Sequence, residues 1–146
     1  MKIKILLVSL FALFFSCNSQ KEMKLGAQGF RILYQNEYGG AQKQGYDIID
    51  SSEALTDLFT KLQLDSEVYS NFEKIDFSEN CVLALYLGQK NTGGYTLSVD
   101  KVQNEPGKTI IQRKITGPKQ GEMATMALTN PYCLVVVKKN KIYEVK

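Results

Sequence analysis

The chain has 146 residues, with 18 basic and 15 acidic side chains, no histidine and a formal charge of +3. Without histidine no Ser-His or Cys-His nucleophile pair can form, and the commonest metal ligand is missing. Charges of both signs are interspersed along the chain, so no basic face is set aside for nucleic acid.

Lys2 and Lys4 precede an apolar run from Ile5 to Phe15 that only Ser9 interrupts, and Ser16 then stands before Cys17. That run is too short to cross a bilayer as a helix, so residues 1–16 read as a cleavable secretory signal. A Cys directly after the small residue resembles the lipobox of bacterial lipoproteins, although Phe14 stands where Leu is usual. The resemblance implies that Cys17 is acylated and becomes the mature N-terminus, a membrane anchor. Asn18 is not the Asp that resembles an inner-membrane retention signal, so the expected location is the outer membrane, on its periplasmic or surface face. Residues 17–28 are polar or small and read as a tether, and residues 29–146 then form a single domain.

Phe30, Ile32 and Tyr34 alternate with polar residues and predict a first strand; after the glycine-bearing stretch from Gly39 to Gly45, Tyr46 to Ile49 predict a second. Asp50-Ser51-Ser52-Glu53 reads as a helix start with Asp50 at the cap and Glu53 reaching back to it. Leu55, Leu58, Phe59 and Leu62 follow at helical spacing, so a helix over about 51–62 turns one apolar stripe to the core. Residues 65–80 are acidic, with Tyr69, Phe72, Ile75 and Phe77 interspersed, and read as a crossing loop whose aromatic rings pack down. Their carboxylates lack the spacing of a calcium loop.

Cys81 to Leu87 are apolar at every position, which predicts a central strand covered on both faces. Tyr95, Leu97 and Val99 then alternate with Thr96, Ser98 and Asp100, and Gln89 to Gly94 read as the loop that joins the two strands as a hairpin. Glu105-Pro106-Gly107 makes a turn into Thr109–Ile115, where Arg113 and Lys114 suggest a sheet edge. A long loop from Gly117 carries Met123 and Met126 to Asn130-Pro131, before a second wholly apolar strand, Tyr132 to Val137, and a last one, Ile142 to Val145. The expected fold is α+β: a curved antiparallel sheet of about 6–7 strands, sandwich- or half-barrel-like, with one amphipathic helix.

Cys81 and Cys133 each stand near the start of an apolar strand. They read either as small buried hydrophobes or, if the strands are neighbours, as a disulfide. Every Ser reads as a strand-face, turn or cap residue, Ser98 of Ser98-Val99-Asp100-Lys101 included, and the carboxylates show no pairing, so catalysis, a metal and a cofactor are not expected.

Val82 to Gly88, then Thr92-Gly93-Gly94-Tyr95, and, past a glycine-bearing loop, Asn130-Pro131-Tyr132 resemble the C-terminal domain of the protease complex subunit PrcB family over about residues 76–140. That resemblance implies a non-catalytic exported subunit or lipoprotein whose partner is an envelope or surface protease. Asn91-Thr92-Gly93-Gly94-Tyr95 is also similar to a loop of chagasin-type cysteine-protease inhibitors, though it lacks their Pro. An inhibitor, or an unrelated envelope-binding module, therefore stands as the alternative. The candidate contact residues are Asn91, Thr92, Gly93, Gly94 and Tyr95, with Met123, Met126, Asn130, Pro131 and Tyr132. Methionines there supply adaptable apolar contact.

Overall fold

The computed structural model describes residues 23–146; the expected signal sequence, residues 1–16, and Cys17 lie outside the described residues. Among the described residues seven strands form two sheets: β1 (Phe30–Asn36), β2 (Gly45–Ile49), β3 (Asn80–Tyr86), β4 (Thr96–Glu105), β5 (Lys108–Thr116), β6 (Tyr132–Lys138) and β7 (Ile142–Val145). Two helices, α1 (Ser52–Leu62) and α2 (Ser66–Tyr69), connect β2 to β3. The four-stranded sheet has the order β1-β6-β3-β2 and the three-stranded sheet β4-β5-β7. The α+β expectation holds, in a layered form: helix, sheet, sheet.

The two wholly apolar strands explain the layering. β3 and β6 pair along their full length at the centre of the larger sheet, and a strand with no polar face must be covered twice. Residues opposite each other share a face. On one face Val82, Ala84, Leu134 and Val136 meet Leu55, Leu58, Phe59 and Leu62 of α1, with Phe72 and Ile75 from the segment after α2. On the other, Cys81, Leu83, Leu85, Cys133, Val135 and Val137 meet Leu97, Val99, Val102 and Ile111 of the smaller sheet. The aromatic residues of 65–80 do pack down: Phe59 stands edge-on to Tyr69 at 5.1 Å and to Phe72 at 5.0 Å.

Several local expectations need correction. The stretch around residues 81–102 is not a hairpin, because β3 and β4 belong to different sheets. Both edges of β3 are taken, by β2 and β6, so the chain after Leu87 crosses to the facing layer and supplies the cover that β3 needs. Arg113 and Lys114 do not mark an edge strand, since β5 is the middle strand of its sheet. The short β7 pairs only with Lys108–Ile111 and runs parallel to β5, so the charged half of β5 extends past the ladder. A single antiparallel sheet therefore becomes two, one of them mixed.

Helix α1 is capped by Ser51, whose hydroxyl accepts from the Ala54 N–H at 3.2 Å, and not by Asp50. The one-residue shift moves Glu53 to the second helical position, where it cannot close the reciprocal cap. The described residues before β1, expected as part of a tether, are laid on the domain: Met23 and Leu25 pack against the helix-side core, and the Met23 N–H donates to the Lys74 carbonyl at 3.2 Å.

Candidate interaction surface

Register brings the distant loops together. Asn36 and Tyr86 both pair with Tyr132, while Gly45 pairs with Tyr86. The segments 37–44, 87–95 and 117–131 consequently emerge at one end of the four-stranded sheet.

Main-chain hydrogen bonds bind the second and third of these segments together. The Lys90 N–H donates to the Thr129 carbonyl at 2.8 Å, and the Thr129 N–H returns to the Lys90 carbonyl at 3.0 Å. The buried Thr129 hydroxyl donates to the Thr92 carbonyl at 3.0 Å, so its burial costs no unmet hydrogen bond. The Gly93 N–H donates to the Thr125 carbonyl at 2.9 Å, and a Cβ at Gly93 would collide with the Thr125 hydroxyl. Glycine is required there by close approach, and Gly94, with φ 81°, completes the turn. The Tyr95 ring lies against Gly117, where a Cβ would fall 2.6 Å from Cε1, and the Lys90 ammonium stands 5.6 Å above that ring.

Asn130 fastens the first segment. Its N–H donates to the Glu37 carbonyl at 2.9 Å, its own carbonyl accepts from the Gly40 N–H at 3.0 Å, and its side-chain amide reaches the Ala41 carbonyl. The Pro131 carbonyl accepts from the Leu87 N–H at 2.9 Å. The Asn-Pro-Tyr element is thus a structural fastener.

Of the ten candidate contact residues, Asn91, Gly94, Met123 and Met126 are exposed, Thr92, Tyr95 and Asn130 are half-buried, and Gly93, Pro131 and Tyr132 are buried. Those last three hold the loops in place and offer no surface, which corrects their inclusion as contacts. Burial, with Tyr34 close by, pushes the Tyr132 phenol up to about 12, as befits a core residue. Met123 and Met126 are 103% and 97% exposed, so nothing in the fold accounts for them. Leu128 and Tyr38 stand out at the same end and escaped the sequence reading. The only hint of Leu128 was an apolar residue that no strand or helix period claims.

Cys81 and Cys133 are free and buried, which corrects the disulfide reading. Cys81 lies opposite Val137 and Cys133 opposite Leu85, four register positions apart, about 14 Å at the strand rise. A disulfide tolerates about 7 Å between Cα atoms. Burial pushes the Cys133 thiol up to about 12, with a hydrogen bond from Gln35 opposing it, and burial also raises the Cys81 thiol, which sits 3.1 Å from the Tyr143 hydroxyl. Neither thiol is poised as a nucleophile. Both should resist alkylation at pH 8 in the native protein and react fully in denaturant without reductant. Mass analysis of the peptides carrying them checks this; a linked pair of peptides would contradict it.

The layered β domain ends in fastened loops with exposed apolar side chains at their tips, and among the described residues no group of three or more metal-ligating side chains is assembled. Residues 81–138 match the family described as PrcB C-terminal. The matched residues run from β3 through β6 and include the loop segments 87–95 and 117–131, while segment 37–44, β1 and β2 lie outside the match. No match is found among curated proteins or among solved structures.

Proposed function

We propose that the chain is a non-catalytic, lipid-anchored envelope protein that serves as an accessory subunit of a protease complex. The observation that carries this reading is the PrcB C-terminal match at residues 81–138, within which fall two of the three loop segments of the exposed surface, 87–95 and 117–131. The absence of histidine and the raised, buried thiols favour binding over chemistry. Met123, Met126 and Leu128 supply the apolar contact, and flexible methionine suits a partner surface that must be accommodated.

Acylation at Cys17 fits this arrangement. The described chain enters the fold through Met23–Phe30, and Phe30 pairs with Val137, at the end of the sheet opposite the loops. An anchor there directs the loops away from the membrane, towards a partner. Labelled fatty acid should incorporate into the protein, and Cys17→Ala should abolish the label and release the protein into the soluble envelope fraction. Unlabelled wild-type protein would refute the anchor.

The inhibitor reading draws less support. Its loop would have to stand free, whereas Gly93 is buried and hydrogen-bonded beneath Thr125.

A further inference from the structure

On the side of the sandwich where β1 and β4 lie next to each other there is a groove of about 530 Å³. One wall runs from Gln35 to Glu37 and the other from Thr96 to Ser98, with Lys114 beside them. β1 and β4 are edge strands of different sheets, so each turns a row of backbone groups away from its ladder partner. The Leu97 carbonyl points across this gap and accepts from Gln35 Nε2 at 2.7 Å. A side-chain amide there takes the place of the N–H that an adjoining strand would supply.

The lining is chemically specific. Hydroxyl, amide and backbone groups share it with aliphatic carbon, it carries one charge of each sign, Lys114 and Glu37, and it has no aromatic ring on which a planar metabolite could stack. Neither charge is in an ion pair among the described residues. The groove also adjoins the loop surface, since the Glu37 carbonyl holds the Asn130 N–H and β5 runs directly into Gly117.

We propose that this groove takes an extended polypeptide segment of a partner as an added strand on β4. A backbone N–H of the segment replaces the Gln35 amide at the Leu97 carbonyl, an acidic side chain of the segment faces Lys114, and a basic one faces Glu37. Each wall is three residues long, about 10 Å, which seats three residues of an added strand, and the rest of the segment continues towards the methionine loop. Gln35 acts as a plug that keeps the edge from pairing indiscriminately until the segment arrives. The choice of a polypeptide rests on the binding-subunit reading; the test uses no protease, so the two can fail separately.

The test is selection of ten-residue peptides from a display library on the full chain in detergent micelles. Selected peptides should carry both an acid and a base, and should raise hydrogen-exchange protection at Thr96–Val99. N-methylation of alternate peptide nitrogens should weaken binding by about tenfold or more. Gln35→Ala, which removes the plug, should tighten binding several-fold, an effect that a merely structural role does not produce. Lys114→Glu should weaken binding about tenfold, and exchanging the peptide's acid for Lys should restore it. The proposal is overturned if neither wild type nor Gln35→Ala selects peptides, if protection appears only at residues 117–130, or if Gln35→Ala weakens binding. Concentration-dependent dimers of Gln35→Ala that exclude the peptides would also overturn it, by assigning the edge to a second copy of the chain.

Discussion

Phe59→Ala is expected to lower the stability of the protein by about 3–5 kcal/mol, because it removes a ring from the middle of the helix-side core and leaves a cavity behind. Phe59 is 7% exposed and is the hub of two edge-to-face contacts, with Tyr69 and Phe72. Those partners come from α2 and the segment after it, so α1 and the crossing chain lose their common anchor together and the site has little means of collapsing. Urea denaturation followed by circular dichroism measures the change. A loss below 1 kcal/mol would mean that α1 is peripheral and that the four-stranded sheet holds without its cover.

The second large effect falls on binding. Met123→Ser combined with Met126→Ser should reduce capture of the protein partner by at least about tenfold, the scale expected when central apolar anchors of an interface are truncated. The same double variant should unfold with the wild-type midpoint, since both side chains stand in solvent and touch no core residue. Quantitative cross-linking in the native envelope, normalised to the amount of anchored protein, reads the first effect, and thermal melting reads the second. Unchanged capture would remove the methionine loop from the contact and leave the interface to the β1–β4 side or elsewhere.

What the sequence made legible follows from how many constraints a residue carries. β3 and β6 were readable because a strand that is apolar at every position can only lie between two layers. The helix stripe was readable because Leu55, Leu58, Phe59 and Leu62 keep helical spacing without a break. Which strand neighbours which was not readable. Nothing local to Gln89–Gly94 says that the edges of β3 are occupied by β2, from an earlier part of the chain, and by β6, from far downstream. The same blindness applies to β7: nothing in Ile142–Val145 says that the strand leaves β6 and pairs parallel with β5 in the other sheet. At the helix start, Asp50 and Ser51 are both good caps, and only the backbone geometry chose Ser51.

The candidate surface was legible by composition and obscure by depth. The residues around Gly93 and those around Met123 were both singled out, and the fold does join them, through Lys90, Thr92 and Gly93 on one side and Thr125 and Thr129 on the other. Which of them face solvent could not be read. Gly93 is the floor beneath Thr125, Pro131 and Tyr132 belong to the core side, and Leu128 and Tyr38 take the exposed positions. Glycine signals a special backbone need, and a close approach from above satisfies that signal as fully as a free turn.

The central claim, a subunit that binds a protease and does not block it, is tested most directly by one measurement. The full, membrane-anchored chain is purified from its own envelope in mild detergent, and the proteolytic activity that accompanies it is assayed as more of the purified chain is added. The account predicts a co-purifying protease whose activity is kept or raised at a stoichiometric excess, and whose assembly is lost with the Met123→Ser, Met126→Ser variant. Activity abolished at one equivalent, or no protease retained even after cross-linking, would contradict it.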